Sequence, residues 1–111
     1  MKLVLVCRKI MNTITKLVRD HIPALLVARH VPHKIRVAGP MEYRCALVKK
    51  LHEELEEFDA LHSLEELADI MEVIEALKKL PEYWGIEEYR HQKMLEKGGF
   101  SNRIILSSEA A

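Results

Sequence analysis

The hydrophobic residues in the middle of the chain recur with the period of an α-helix. Between residues 41 and 61 they follow one another at steps of four, four and three, which places them on one stripe of a predicted helix. This stripe consists of Leu47, Leu51, Leu55 and Phe58. Pro40 and the residues just before it are incompatible with a helix that begins earlier.

A second long helix is predicted from Ser63 to Leu80, ended by Pro81. Ser63 and Glu66 have the spacing of a capping box, in which each side chain bonds to the backbone N–H of the other residue. Two apolar stripes lie side by side along this helix: Leu64, Leu67, Met71 and Ile74, and then Ile70, Val73 and Leu77. Since a helix with this pattern is buried on more than one side, we expect an oligomer whose interface extends the core.

Shorter elements are predicted on either side of the two long helices. Proline suits the first turn of a short helix over residues 23–29, and residues 31–40 are predicted to be an extended connection. A third main helix is predicted over residues 86–97, ended by Gly98 and Gly99. Together these elements predict an all-α fold, an antiparallel helical bundle. We expect residues 1–14 to be an N-terminal appendage, 15–106 the domain and 107–111 a frayed tail.

The overall charge of the chain is balanced, because 17 Lys and Arg residues stand against 17 Asp and Glu residues in a length of 111. This balance does not favour a nucleic-acid or membrane partner. The apolar runs are too short for a signal peptide or a membrane span. Cys7 and Cys45 lack metal-type spacing, so we expect reduced thiols and a cytoplasmic protein.

Part of an acidic excess between residues 51 and 75 falls on the apolar faces of the two long helices. Glu54 lies four residues before Phe58 and shares its face, and Glu57 follows one turn after Glu54. Glu66 and Asp69 repeat the same three-residue step on the second helix. Because a short turn joins antiparallel helices, the two pairs are predicted to meet. Four carboxylates without His or Cys favour a hard divalent cation, Mg²⁺ or Mn²⁺, over zinc.

The same acidic residues have simpler interpretations. Glu66 is also the predicted capping partner of Ser63, which would occupy its carboxylate. Glu53 and Glu72 lie at intermediate angles, where both a role in the cluster and exposure to water are open. Solvent exposure is predicted for Glu56, Asp59 and Glu75. From spacing alone, a metal site and a solvated acidic face therefore both remain open.

Four longer segments give a more specific indication. The segments KLVRDHIP, HEELEEF, SLEELADIMEVIEAL and KGGFSNRIIL, in this order and spacing, resemble the small phosphoribosyl-ATP pyrophosphohydrolase-like proteins of the all-α nucleoside triphosphate pyrophosphohydrolase (MazG-like) superfamily. The resemblance covers residues 16–106. It implies Mg²⁺ binding and an enzyme that hydrolyses a nucleoside triphosphate between its α and β phosphates, assembled as a dimer or tetramer. The implied metal ligands are Glu54, Glu57, Glu66 and Asp69.

The resemblance also suggests roles for other charged residues. Glu53 is a candidate catalytic base, although a carboxylate of the cluster could serve equally well. The candidate phosphate ligands are Lys16, Arg19, Lys93, Lys97 and Arg103. Tyr83, Trp84 and Tyr89 are predicted to be core residues rather than platforms for a base. Two alternatives remain: a phosphoribosyl-ATP pyrophosphohydrolase of histidine synthesis, and a non-catalytic helical oligomer that retains the acidic cluster.

Overall fold

A computed structural model describes residues 16–108 of the chain. Within this range the chain forms four α-helices and a single 3-10 turn, and it contains no β-strand. The α-helices are α1 (Ile22–Ala28), α2 (Pro40–Leu61), α3 (Leu64–Lys78) and α4 (Ile86–Lys97), and the 3-10 turn is Pro81–Tyr83. The predicted all-α class is confirmed. The predicted appendage, residues 1–14, lies outside the described residues.

The predicted helix limits agree with the structure to within two residues. α2 begins at Pro40, one residue before its predicted start, because proline suits the first helical position. α3 ends at Lys78 rather than at residue 80. α4 ends at Lys97 and is followed by Gly98, whose φ of 80° lies in the left-handed region that favours glycine.

These helices belong to two compact units, which divide between Leu77 and Lys78. The first unit contains α1, α2 and α3 up to Leu77. The second contains the 3-10 turn, α4 and the C-terminal segment as far as residue 108. The single domain over residues 15–106 and the helical bundle stay predictions.

Glu54 lies in the core of the first unit, whereas Leu55, which belongs to the predicted apolar stripe, does not. Leu55 is 53% exposed, whereas Glu54 is only 6% exposed. At about 100° per residue, Leu55 lies about 80° around the helix from Leu47 and Glu54 only about 20°. The stripe is therefore wrong at Leu55 and continues through Glu54. The buried apolar residues are Cys45, Ala46, Leu47 and Val73.

The two apolar stripes of α3 have different environments. Val73 is buried and its neighbours Ile70 and Leu77 are half-buried, so this stripe faces the core of the first unit. The other stripe is 42–87% exposed, and it consists of Leu64, Leu67, Met71 and Ile74. The predicted oligomer, which would cover this second stripe, stays a prediction.

Cys45 forms a disulfide in this structure, so the predicted reduced thiol is wrong at this position. The other cysteine, Cys7, lies outside the described residues. The cytoplasmic location depended partly on reduced thiols and stays a prediction. Among the helices of residues 16–108, none is both long and apolar enough to cross a membrane.

A bidentate ion pair joins the connection before α2 to the first turn of that helix. Residues 31–39 have no regular secondary structure. Arg36 Nη1 donates to Glu42 Oε1, and Arg36 Nη2 donates to Glu42 Oε2 at 2.7 Å. This guanidinium lowers the pKa of the Glu42 carboxyl below its usual range.

Ion pairs also organise the second unit. The Glu87 carboxylate accepts from Lys78 at 2.9 Å and from Arg90 at 2.7 Å, and these two cations lower its pKa to about 2.

Three aromatic residues of the second unit were predicted to lie in the core. This prediction is wrong, because their exposed fractions run from 40 to 73%. These residues are Tyr83, Trp84 and Tyr89.

Candidate metal centre

Helices α2 and α3 bring four carboxylates together. One oxygen atom from each of them lies within 4.8 Å of the corresponding oxygen of each of the others. The four residues are the predicted set: Glu54, Glu57, Glu66 and Asp69. Within residues 16–108 it is the one group of three or more His, Cys, Asp or Glu side chains close enough to hold a metal ion. We call this group the acidic cluster.

The spacing along the two helices explains why the acidic cluster forms. Each helix contributes two carboxylates three residues apart, so each pair lies on one face. Only His62 and Ser63 separate α2 from α3. Glu57 and Glu66 lie close to this turn and Glu54 and Asp69 lie farther from it, so a reversal of the chain places the pairs side by side.

The turn is held by two backbone interactions. His62 has a left-handed φ of 50°, and its N–H donates to the carbonyl of Phe58 at 2.7 Å. The backbone N–H of Glu66 donates to Ser63 Oγ at 3.2 Å, which confirms the serine half of the predicted capping box. This bond uses the Glu66 backbone, whereas the Glu66 carboxylate belongs to the acidic cluster. The other half of the predicted box, in which the Glu66 carboxylate would accept from the Ser63 N–H, stays a prediction.

We expect Ser63→Ala to lower the free energy of unfolding by about 1 kcal/mol, the usual cost of losing an N-cap hydroxyl. Thermal or urea unfolding measures this loss, and Ser63→Thr, which retains the hydroxyl, is the matched control. Calorimetric titration with Mn²⁺ should show unchanged affinity, because the cap does not use the Glu66 carboxylate. A large loss of Mn²⁺ affinity in Ser63→Ala would contradict this separation of roles.

Two oxygen atoms of the acidic cluster are buried and have no hydrogen-bond partner within residues 16–108. They are Oε2 of Glu54 and Oε2 of Glu66. A buried acceptor that has lost water and gained no donor is unfavourable, and it is more so when it carries charge. A cation bound to these oxygens would relieve both atoms, and carboxylate oxygens are donors that fit a hard metal ion.

The pKa of Glu66 is raised above its ordinary value. Burial is the largest cause, followed by the hydrogen bond with Glu57 and by repulsion from Glu57, Asp69 and Glu54. Burial and the neighbouring carboxylates of the acidic cluster therefore both disfavour the ionised form of Glu66.

Two basic side chains contact the acidic cluster, one from the segment before α1 and one from α2. Lys50 Nζ lies 3.2 Å from Glu54 Oε1, and Arg19 Nη2 donates to Asp69 Oδ1 at 2.7 Å. Arg19 is one of the predicted phosphate ligands, whereas Lys50 was missed by the sequence analysis. Its position four residues before Glu54 on the same helix is the signal that could have revealed it.

Glu53, the candidate base, lies beside the acidic cluster but is not one of its four members. Its Oε2 is 3.8 Å from Lys50 Nζ, and its side chain is 38% exposed. A half-exposed carboxylate next to the cluster has access to water. Its catalytic role stays a prediction.

The remaining predicted phosphate ligands are exposed basic residues. Lys16 precedes α1 in the first unit. Lys93 and Lys97 lie four residues apart on α4, on the same face of that helix. Arg103 follows the Gly98-Gly99 pair with a left-handed φ of 57°, and its N–H donates to the carbonyl of Phe100 at 3.1 Å. Their roles as phosphate ligands stay predictions.

No protein-family model, curated protein or solved structure matches the chain. Its function is therefore inferred from the acidic cluster and from the motifs of the sequence.

Proposed function

We propose that the chain is a Mg²⁺-dependent nucleotide pyrophosphohydrolase. The reaction is hydrolysis of a nucleoside triphosphate between the α and β phosphates to a monophosphate and pyrophosphate. The observation that supports this proposal most strongly is the convergence of four carboxylates from α2 and α3, with two buried oxygens that lack partners among the described residues. The four sequence segments that resemble the MazG-like superfamily point to the same reaction.

The chemistry of the acidic cluster favours Mg²⁺, with Mn²⁺ as a close substitute. All its donors are carboxylate oxygens, which hard cations prefer, and the group contains neither His nor Cys. Glu54, Glu57, Glu66 and Asp69 would hold the ion. A divalent cation bound there would neutralise charge on the phosphate oxygens and make a water molecule more acidic.

The bond changes of the proposed reaction assign roles to other residues of the chain. A water oxygen attacks the α phosphorus, the bond from that phosphorus to the bridging oxygen breaks, and pyrophosphate leaves with the bonding electron pair. A carboxylate takes the proton of the water, and Glu53 is the candidate because it lies beside the cluster and is half-exposed. Arg19 already contacts Asp69, so it can donate to a phosphate that reaches the cluster.

The other phosphate contacts are assigned on the sequence resemblance. We propose that four further basic residues neutralise the negative charge of the triphosphate: Lys16, Lys93, Lys97 and Arg103. We further propose a homo-oligomer, a dimer or tetramer of helical bundles. The exposed apolar stripe of α3 supports this assembly, because such a stripe on a helix is normally covered.

The test is turnover of a panel of nucleoside and deoxynucleoside triphosphates and of phosphoribosyl-ATP. Each is incubated with Mg²⁺ or with excess chelator, and the products are separated by ion-exchange chromatography. Monophosphate and pyrophosphate formed only with Mg²⁺ support the proposal. Diphosphate and orthophosphate would contradict cleavage at the α–β bond.

The same panel separates the alternatives. Turnover confined to phosphoribosyl-ATP would make the chain an enzyme of histidine synthesis. Absence of metal-dependent turnover for every substrate would overturn the enzymatic proposal and leave a helical protein that retains an acidic cluster.

A further inference from the structure

Lys50 is a largely buried lysine that ends between two carboxylates. Its side chain is only 18% exposed, although lysine is among the residues that proteins bury least often. Its Nζ lies 3.2 Å from Glu54 Oε1 and 3.8 Å from Glu53 Oε2. One ammonium group therefore contacts both a proposed metal ligand and the proposed base.

The two oxygens of the Glu54 carboxylate have different surroundings. Oε1 has the Lys50 ammonium as its partner, whereas Oε2 is buried and has no partner among the described residues. A carboxylate held in this way by one oxygen has a fixed orientation and keeps the other oxygen available to a metal ion. Such outer contacts orient metal ligands in many proteins.

An ordinary surface ion pair does not account for this arrangement. Helical pairs four residues apart stabilise an exposed surface only weakly, and solvent screens them. The Glu54 side chain is 7% exposed, so little solvent is present to replace the ammonium. Among the described residues, loss of Lys50 would leave neither Glu54 oxygen with a partner, and the carboxylate would be free to turn away from the acidic cluster.

The charge balance of the site also fits this role. With all four carboxylates ionised, the contacts of Lys50 and Arg19 leave a net charge of about −2 at the acidic cluster. That value matches a single divalent cation. Lys50 therefore offsets part of the repulsion without removing the attraction for the ion.

We propose that Lys50 is a positioning residue of the metal centre and acts through Glu54. It holds Glu54 Oε1 so that Oε2 remains directed to the bound cation. This inference rests on the proposed metal site and adds to it a residue that contacts neither the metal ion nor the substrate.

The test is Mn²⁺ affinity, measured without nucleotide by calorimetry and by the electron paramagnetic resonance spectrum of the bound ion. Lys50→Met should weaken Mn²⁺ binding by about 10- to 100-fold, the usual effect of removing an outer-shell partner of a metal ligand. Lys50→Arg should recover most of the affinity. The matched control is Lys49→Met, because Lys49 is the adjacent lysine of α2.

The outcomes distinguish this inference from the proposed metal site. Wild-type protein that binds no Mn²⁺ would overturn both. Wild-type binding together with unchanged or tighter binding in folded Lys50→Met would overturn the role of Lys50 alone. If the Met variant does not fold, as judged by circular dichroism, Lys50→Gln is measured by the same criteria, since its shorter amide cannot reproduce the ammonium contact.

Discussion

Glu54→Gln is expected to reduce Mg²⁺-dependent hydrolysis by about a thousandfold. Glutamine has nearly the same volume as glutamate, so the substitution keeps the packing of a residue that is only 6% exposed. It removes one of the four negative charges and replaces a metal ligand by a neutral amide. A metal ion that stabilises charge in the transition state contributes several kcal/mol, and each 1.36 kcal/mol is about tenfold in rate.

Asp69→Asn should lower the rate to a similar extent, but with a second effect. Asp69 accepts from Arg19 at 2.7 Å, so the neutral variant also weakens the contact that holds this guanidinium at the acidic cluster. We therefore expect both the rate and the apparent substrate affinity to fall in this variant. In Glu54→Gln the effect should be mainly on the rate and on the concentration of Mg²⁺ required.

The matched control for both variants is Glu56→Gln. Glu56 lies on α2 between two members of the acidic cluster in the sequence, but it is exposed and outside the group. Its substitution removes one negative charge, from the same helix as Glu54, and should leave the rate within about twofold of wild type. Equal activity in Glu54→Gln and Glu56→Gln would contradict the assignment of the metal centre.

Helix positions and the membership of the acidic cluster could be predicted from the sequence because both follow from helical periodicity. Glu54 shares a face with Phe58 through a step of four residues, and this relation holds in the structure. The two-residue turn then leaves few ways for α2 and α3 to pack together. Local geometry and a short connection were sufficient to predict which carboxylates meet.

The contacts made by cations could not be predicted in the same way. Arg19 lies 50 positions before Asp69, and nothing in the local pattern pairs them. Leu55 was misplaced because a step of four from Leu51 allows a position at the edge of the stripe as well as one at its centre. Contacts between distant segments depend on tertiary packing, which helical periodicity does not describe.

The raised pKa of Glu66 predicts that the metal-free protein loses stability as the pH rises. When the pKa of an acid is raised in the folded state, the folded protein binds more protons than the unfolded protein does. The contribution of Glu66 to the free energy of unfolding is therefore fully present below its ordinary pKa of 4.5. That contribution is lost as the pH rises from 4.5 through the raised value. Metal binding needs the ionised carboxylate, so Mg²⁺ affinity should increase over the same interval.

Glu66→Gln should therefore have opposite effects in the absence and in the presence of metal ion. Without metal, the neutral amide removes repulsion from the acidic cluster, so the melting temperature at neutral pH should rise above that of wild type. With Mg²⁺ at a hundred times its Kd, wild type should gain about 2.7 kcal/mol, or roughly 10 to 20 °C, and the variant should gain little. Thermal melts in chelator and in Mg²⁺ measure both changes.

The effect of Glu66 on stability falls in a different pH range from the effects of the ion pairs. Glu42 and Glu87 have lowered pKa values, so they lose their contributions only as the pH falls below 4.5. The difference in stability between metal-free Glu66→Gln and wild type should grow only above that pH. Glu65→Gln, which alters the other carboxylate in the first turn of α3, is the matched control and should show no such dependence. If the difference in stability between metal-free Glu66→Gln and wild type does not change with pH above 4.5, repulsion within the acidic cluster does not destabilise the metal-free protein. The proposal of a bound cation would then lose its electrostatic basis.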